Sequence, residues 1–218
     1  MRGVPHWPGG RGTPSWPRVT TVAATLRVLA VDDHPAVRAG LCSLFAAEDG
    51  LELVGGAATV REALTLSAQL RPDVVVVDVH LPDGDGLGLC LRLQAADPAP
   101  AVLLYTAFAD DRLGVAAVVA GARGLIGKGA DPDALADAVR AVGRGDIILP
   151  PPSPEALAVS ARRLDPQDLP ALGMLLHGTP PEDIARTLAV AASWLGARRW
   201  AMLERLTGGR GGSRRRGG

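Results

Sequence analysis

The stretch Val74-Val75-Val76-Val77-Asp78 stands between Arg71-Pro72-Asp73 and Val79-His80-Leu81-Pro82-Asp83-Gly84. Four consecutive β-branched apolar residues between turn formers read as a strand buried on both faces, as in a parallel sheet. The strand stops where a charge appears, and that charge is a carboxylate. In open α/β sheets the ligand crevice lies at the carboxyl ends of the strands. Asp78 is therefore placed where chemistry is usually found, and Leu81-Pro82-Asp83-Gly84-Asp85-Gly86 supplies a loop that can close over it. The competing assignment is an N-cap for the following turn. The rest of the chain decides between them.

The chain has 218 residues, room for one domain of ordinary size and a small second one. Its core is aliphatic, with only 3% aromatic residues, so packing rests on Val, Leu and Ala. Zero net charge hides an asymmetry: residues 27–149 hold 17 acids against 10 bases, net −7, and residues 150–218 hold 10 bases against 6 acids, net +4. An acidic domain joined to a basic one points to a metal or phosphate module tethered to a polyanion binder. Cys42 and Cys90 have no metal-ligand spacing and read as buried small residues. No apolar run is long enough to span a bilayer and no signal-peptide pattern precedes Arg27, so a soluble cytoplasmic protein is expected.

Residues 1–25, rich in Pro, Gly and Arg without periodicity, are expected to be a disordered extension, or the product of a start assigned too far upstream. Then come strand Arg27–Val31, a helix opened by Pro35, strand Leu51–Gly55, and a helix to Leu70 opened by the capping box Thr59-x-x-Glu62. The Val74 strand follows, then helix 87–95, strand Val102–Thr106, helix 111–120, strand Gly124–Ile126 and a last helix through Val142. Five βα units predict a doubly wound five-stranded parallel sheet of order 2-1-3-4-5 over residues 26–143. A Pro-rich linker over 144–160 contains Pro150-Pro151-Pro152-Ser153-Pro154, expected to be an extended spacer. Three helical segments, Asp165–Leu176, Pro181–Leu188 and Ala192–Leu206, make a small all-α domain over 161–207, and 208–218 reads as a disordered Gly/Arg tail.

The strand ends form a set: Asp32 and Asp33 after the first, Asp78 after the third, Thr106 at the fourth, Lys128 after the fifth. In the predicted order the first and third strands are neighbours. Carboxylates converging there repel one another unless protonated or bound to a cation. An oxygen-only cluster with open positions suits Mg²⁺. Asp78 can then attack a phosphoryl group, with the metal, the Lys128 ammonium and the Thr106 hydroxyl each serving one of its oxygens. Among 23 Lys and Arg, Lys128 is the single lysine, at a position where a compact point charge differs from a planar fork.

These residues carry a resemblance. Residues 27–143 resemble the receiver domain of bacterial two-component response regulators in Asp32-Asp33, the Asp78 strand and its Leu-Pro-Asp-Gly-Asp-Gly loop, Thr106, and Gly-Ala-Arg-Gly-Leu-Ile-Gly-Lys128. The resemblance implies phosphotransfer from a histidine kinase's phosphohistidine to Asp78. It implies that Asp33 and Asp78 bind Mg²⁺ directly, Asp32 through water, and that the His80 backbone carbonyl completes the protein ligands. The His34 and His80 imidazoles are then bystanders, although His34 beside two acids can serve as a ligand in a plain metal-site reading. Two departures stand out: Leu125 replaces the family's switch aromatic, which Tyr105 on the opposite strand face does not supply, and Gly129 follows the lysine.

Residues 164–207 resemble the LuxR-type helix-turn-helix of NarL-like regulators through Leu164-Asp-Pro, Leu172, Gly178, Ile184-Ala185, Leu188, Leu195, Met202, Leu203 and Leu206. Positions 195, 202, 203 and 206 are expected to pack on the scaffold helices. Trp194, Arg198 and Arg205, with Arg199 beside them, are expected to meet the major groove of DNA and its phosphates, and Arg210 and Arg214–Arg216 to add phosphate contacts. Here Trp194-Leu195-Gly196 replaces the family's Thr-Val-Lys, and Gly196 costs about 1 kcal/mol of helix stability. Pro170 is tolerable only in the opening turn of its helix. The expectation is a response regulator, not an enzyme, that dimerises when phosphorylated and controls transcription, with no membrane association. One alternative is a signalling module whose helix-turn-helix contacts protein. Another is a phosphatase using an aspartyl phosphate, which needs a general acid where His80 stands.

Overall fold

The β-branched strands assemble as their sequences require. A computed structural model describes residues 25–107 and 110–208. Within them β1 (Leu26–Val31), β2 (Leu51–Ala57), β3 (Val74–Val77), β4 (Ala101–Thr106) and β5 (Gly124–Gly127) form one parallel sheet of order β2-β1-β3-β4-β5. Every residue of β3 is buried, because helices cover both faces. On one face Val28, Ala30, Val76 and Leu103 pack against Leu41 and Phe45 of α1 (Pro35–Ala47) and Leu135 and Val139 of α5 (Pro132–Gly143). On the other, Leu29, Val31, Val75, Val77 and Leu104 meet α2 (Val60–Leu70), α3 (Gly86–Leu93) and α4 (Asp111–Ala120).

Local sequence sets the helix ends. Pro35 opens α1, Thr59 Oγ1 accepts from Glu62 N to open α2, and Asp110 Oδ1 accepts from Leu113 N to open α4. Helix α4 closes on Gly121, whose φ of +80° lies in the left-handed region that favours glycine. The expected disordered segments, 1–25 and 208–218, fall outside the described residues apart from Thr25 and Gly208.

After α5 the chain is pinned to the sheet by a parallel bridge between Gly124 and Ile148. A helix, α6 (Pro154–Arg163), stands where an extended spacer was expected over 154–160. Its signals are present in the sequence: Ser153 accepts from Ala156 N, Pro154 occupies the first turn with Glu155, and Arg162 and Arg163 close the last turn. A short 3₁₀ turn (Pro166–Asp168) precedes α7 (Leu169–Leu176), which leaves Pro170 in that helix's opening turn. α8 (Pro181–Thr187) and α9 (Ala192–Thr207) follow.

Helix α9 packs on the scaffold helices and on the sheet domain at once. Leu195 joins Ala171, Leu175, Ile184 and Ala185 of α7 and α8. Met202 and Leu203 enter the cluster that joins α3 and α4 to Leu164 and to Leu172 of α7, and Leu206 packs against the same cluster. The helical segment is thus seated on the α3–α4 side of the sheet domain. No helix among the described residues is long and apolar enough to cross a membrane.

Candidate functional site

Strand register builds the site. Val31 pairs with Val77, so the next residues, Asp32 and Asp78, leave adjacent strand tips side by side. The backbone continues the ladder there: Asp78 N donates to Val31 O at 2.8 Å and Asp32 N to Ala57 O at 3.0 Å. Asp32 keeps 1% of its surface and Asp78 5%, so two carboxylates are held nearly dry and close together. Thr106 pairs with Gly127, and Lys128 N donates to Thr106 O at 2.8 Å, which brings the next side chain back over the carboxylates. Lys128 Nζ lies 2.6 Å from Asp32 Oδ2 and 2.7 Å from Asp78 Oδ2. Burial works to lower the lysine pKa, but hydrogen bonds to both aspartates outweigh it and hold the ammonium above its ordinary value.

The acidic pair has a second neighbour. His34 Nδ1 is 2.7 Å from Asp33 Oδ1 and 3.1 Å from Asp32 Oδ1. Arg38 Nη1 donates to Asp32 O at 2.5 Å, fixing the start of α1 against the strand tip. One ligand atom from each of Asp32, Asp33, His34 and Asp78 lies within 4.8 Å of the others. Three carboxylates, two of them nearly dry, are a donor set that fits a hard divalent cation.

The 81–86 loop is hydrogen-bonded to its surroundings beside Asp78. His80–Leu81 pairs antiparallel with Gly84–Asp85, and the tip is stitched to two helices. Asp83 accepts from Val60 N and Arg61 N at the start of α2, and Asp85 Oδ1 accepts from Gly88 N at the start of α3. Gly86 N donates to Val79 O at 2.8 Å. A Cβ on Gly86 would stand 2.2 Å from Asp78 O, so only glycine permits this return beside the carboxylate. The His80 imidazole is exposed, and its backbone N donates to Asp78 Oδ1 at 3.3 Å. Asp83, Asp85 and Gly86 were not singled out from the sequence. The Asp-Gly-Asp-Gly run carries the signal, since Asp before a helix caps it.

Thr106 is fully buried at the end of β4, and Leu125 is buried on the α3–α4 side. Tyr105 faces the other way and turns out to flank the lysine: its ring centroid is 5.9 Å from Lys128 Nζ and its hydroxyl donates to Lys128 O at 3.5 Å. Burial pushes the tyrosine hydroxyl pKa up, against the opposing pull of the Lys128 charge.

In the helical segment the expected DNA-facing residues are placed differently from one another. Trp194 keeps 36% exposure at the start of α9, with the Arg198 guanidinium 5.7 Å from its ring centroid. Arg198 Nε and Nη2 reach Asp168 Oδ1 at 2.6 and 2.5 Å, and Arg205 Nη1 reaches Asp168 Oδ2 at 3.3 Å. Arg199 departs from the expected outer face. It retains 5% exposure, its Nε donates to Val119 O at 2.8 Å, and burial pulls its pKa down. The reason is helical spacing: position 199 follows Leu195 by four and precedes Leu203 by four, on the apolar stripe. Trp200 beside it lies 3.3 Å from where a Gly88 Cβ would be, with Arg92 5.6 Å from its ring centroid.

The family model for the response regulator receiver domain matches residues 28–140. The chain is 36% identical over 176 residues, 76% of its length and 81% of the other protein's, to the DNA-binding transcriptional activator DevR/DosR of Mycobacterium tuberculosis. The chain belongs to the response regulators of the NarL/LuxR type. A LuxR-family response regulator structure from Aurantimonas matches 62% of this response regulator and 94% of its own chain, with TM-score 0.55 and 32% identity. The RcsB response regulator of Salmonella typhimurium shares the fold over 84% of this chain and 93% of its own, with TM-score 0.54 and 21% identity. The sheet domain is therefore a receiver, and the helices from α6 onward extend it in the manner of the family.

Proposed function

We propose that this response regulator accepts a phosphoryl group on Asp78 from the phosphohistidine of a sensor histidine kinase, and that the phosphorylated form dimerises and controls transcription through the helical segment. The supporting observation is the placement of Asp78: a nearly dry carboxylate at a strand tip, 2.7 Å from the only lysine and beside a second buried carboxylate. An Asp78 carboxylate oxygen forms a bond to phosphorus while the phosphorus–nitrogen bond to the donor imidazole breaks, and the electron pair leaves with that nitrogen. Lys128 neutralises charge on an equatorial phosphoryl oxygen, and the Thr106 hydroxyl serves another. Asp32, Asp33, Asp78 and the His80 backbone carbonyl would hold Mg²⁺, which when bound neutralises the carboxylates and a phosphoryl oxygen. Among the described residues the His80 imidazole points to solvent rather than to Asp78 as a general acid would, which suits a phosphate that persists, as in a cytoplasmic regulator, rather than rapid turnover.

Output rests on the helical segment. Its relative DevR/DosR is a DNA-binding transcriptional activator, and α9 carries Trp194 at its exposed start with the Arg198 guanidinium over the ring. A second reading has its own support. Arg198 and Arg205 are tied to Asp168, and Arg199 is buried against α4. A helix whose arginines are engaged internally suits protein contacts rather than sequence reading. Intact-mass and peptide mapping after acetyl phosphate and MgCl₂ treatment tests the receiver: a label on Asp78, absent in Asp78→Ala, is expected. An unlabelled protein, or fast repeated hydrolysis of phosphomonoesters, would overturn the reading. Mobility shift on duplexes selected from random DNA, with Trp194→Ala as control, separates the two outputs, and no retardation of phosphorylated protein favours protein contacts.

A further inference from the structure

A cleft of about 630 Å³ opens at the amino ends of β3, β4 and β5, the end of the sheet opposite Asp78. Its size is that of a small-molecule site. The floor is apolar, with Pro72, Leu93, Pro100 and Val142 buried, and Arg71, Arg92, Arg123 and Arg144 stand around it. These arginines come from four separate places, after α2, at the end of α3, before β5 and after α5, so the fold gathers them. Helix carboxyl ends also meet here and attract cations. The end of α2 is already served, because Arg27 Nη1 donates to Leu70 O and Arg71 O. The Arg71 side chain is surplus to that need. Among the described residues no carboxylate pairs with Arg71, Arg92 or Arg123. Arg144 meets Asp146 at 3.3 Å, an exposed pair that contributes little. Arg123 Nη1 donates to Gly145 O at 3.1 Å, which ties its guanidinium to the loop after α5. Of the two acids in the cleft, Asp73 and Asp97, the first already accepts from Arg27 N at 2.8 Å. Four arginines against two aspartates leave the cleft at +2.

We propose that this cleft binds a nucleoside phosphate, with the phosphates on the arginines and the base on the apolar floor. Guanidinium forks match phosphate oxygens two at a time, and their flat faces stack on aromatic rings. Phosphate needs cations that are not already spent, which describes Arg71, Arg92 and Arg123. The buried prolines, Leu93 and Val142 add nothing for an inorganic ion but give a flat base an apolar bed. A second feature gives binding a consequence. Arg92 lines this cleft and also the groove beside α9, where its guanidinium lies 5.6 Å from the Trp200 ring centroid. A guanidinium drawn onto phosphate leaves the indole. Occupancy of the cleft is then felt at the seat of α9, by a route that uses neither Asp78 nor the acidic pair.

The test is calorimetric titration of the full chain with ATP, in EDTA so that no metal bridges the nucleotide to the acidic site. Inorganic triphosphate, the same phosphate chain without a base, is the second arm. The wild type is expected to bind ATP roughly tenfold or more tighter than triphosphate. The double variant Arg71→Gln with Arg123→Gln should weaken ATP roughly tenfold or more. Arg162→Gln, an exposed arginine of α6 outside the cleft, should stay within about twofold of the wild type. Circular dichroism checks folding, and Arg71→Gln alone replaces a double variant that does not fold. ATP should also change the tryptophan emission of the wild type and leave that of Trp200→Phe unaltered. Equal ATP affinity in wild type and double variant, or an equal loss in Arg162→Gln, means diffuse attraction and overturns the site. Triphosphate as tight as ATP overturns the nucleotide assignment, and emission indifferent to saturating ATP overturns the link to α9. A wild type that takes up no ATP overturns the whole.

Discussion

Lys128 Nζ stands 2.7 Å from Asp78 Oδ2, although the two residues are 50 positions apart in the chain. Because the same ammonium also reaches Asp32 Oδ2, one cation compensates two buried anions. Lys128→Gln removes that compensation and leaves the carboxylates facing each other. The cost is about 3 kcal/mol, the lower end for breaking a buried pair, since the lysine retains 17% exposure. Urea unfolding measures the loss, and millimolar MgCl₂ is expected to restore part of it by supplying the missing charge. A loss indifferent to MgCl₂ would argue against a cation site there.

Gly86 tests the loop. An added methyl meets Asp78 O at 2.2 Å, with Val77 Cγ1 and Val79 Cα at 2.9 Å, and two of those three atoms are backbone that has no room to yield. Gly86→Ala is expected to cost roughly 1–3 kcal/mol and to slow labelling of Asp78 by acetyl phosphate. Gly129→Ala, where a Cβ meets nothing within 4 Å, is the matched control and should unfold like the wild type. Thermal unfolding of the two variants side by side decides it.

Arg199 carries an opposite prediction. Its guanidinium is buried at the seat of α9, with a carbonyl as its hydrogen-bond partner and no carboxylate in an ion pair among the described residues. Burying a cation without a counter-ion is unfavourable, so Arg199→Met, which keeps an unbranched apolar stem and drops the charge, should hold or raise stability by about 1 kcal/mol. Arg199→Glu, an anion in the same dry place, should lower it. A clear loss of stability in Arg199→Met would mean that the carbonyl hydrogen bond outweighs desolvation.

Alkaline pH gives a further check. Burial pushes the Cys90 thiol up to about 12 from an ordinary 9.0, while Arg199 pulls weakly the other way. Below 9.0 the thiol is protonated in folded and unfolded chains alike. Above it only the unfolded chain releases the proton, so stability should fall progressively, on the order of 1 kcal/mol per pH unit, as pH rises from 9.0 toward about 12. Lys128 adds to the loss higher up, because its raised pKa withdraws support as pH climbs through it. Alkylation at pH near 8 should mark the exposed Cys42 and spare Cys90 until the protein is denatured.

The receiver was legible because its signals are local and categorical. A run of four valines ending in Asp, an acidic pair after the first strand, and a single lysine among arginines name the site without any knowledge of packing. Helix α6 was hidden by its neighbours: Pro150-Pro151-Pro152 reads as an extended spacer, and the Ser153-Pro154-Glu155 cap directly behind it was absorbed into the same reading. Partner choice was harder still. Periodicity placed Met202, Leu203 and Leu206 on one stripe but could not say that α3 and α4 cover it together with Leu164 and Leu172 of the helical segment. Arg199 was assigned to the outer face by its charge, while its spacing from Leu195 and Leu203 put it inside. Asp83 and Asp85 were read as parts of a closing loop, whereas they anchor α2 and α3.

The docking of α9 has a cost for any molecule that leaves it. Met202 and Leu203 contribute to the same apolar cluster as Val115 and Val119, so lifting the helix wets oily surface on both sides of the seam at once. Such a molecule is adhesive until a second surface takes the helix's place. Its lifetime in the released form should then depend on how crowded it is with copies of itself, and dilution alone would favour refastening.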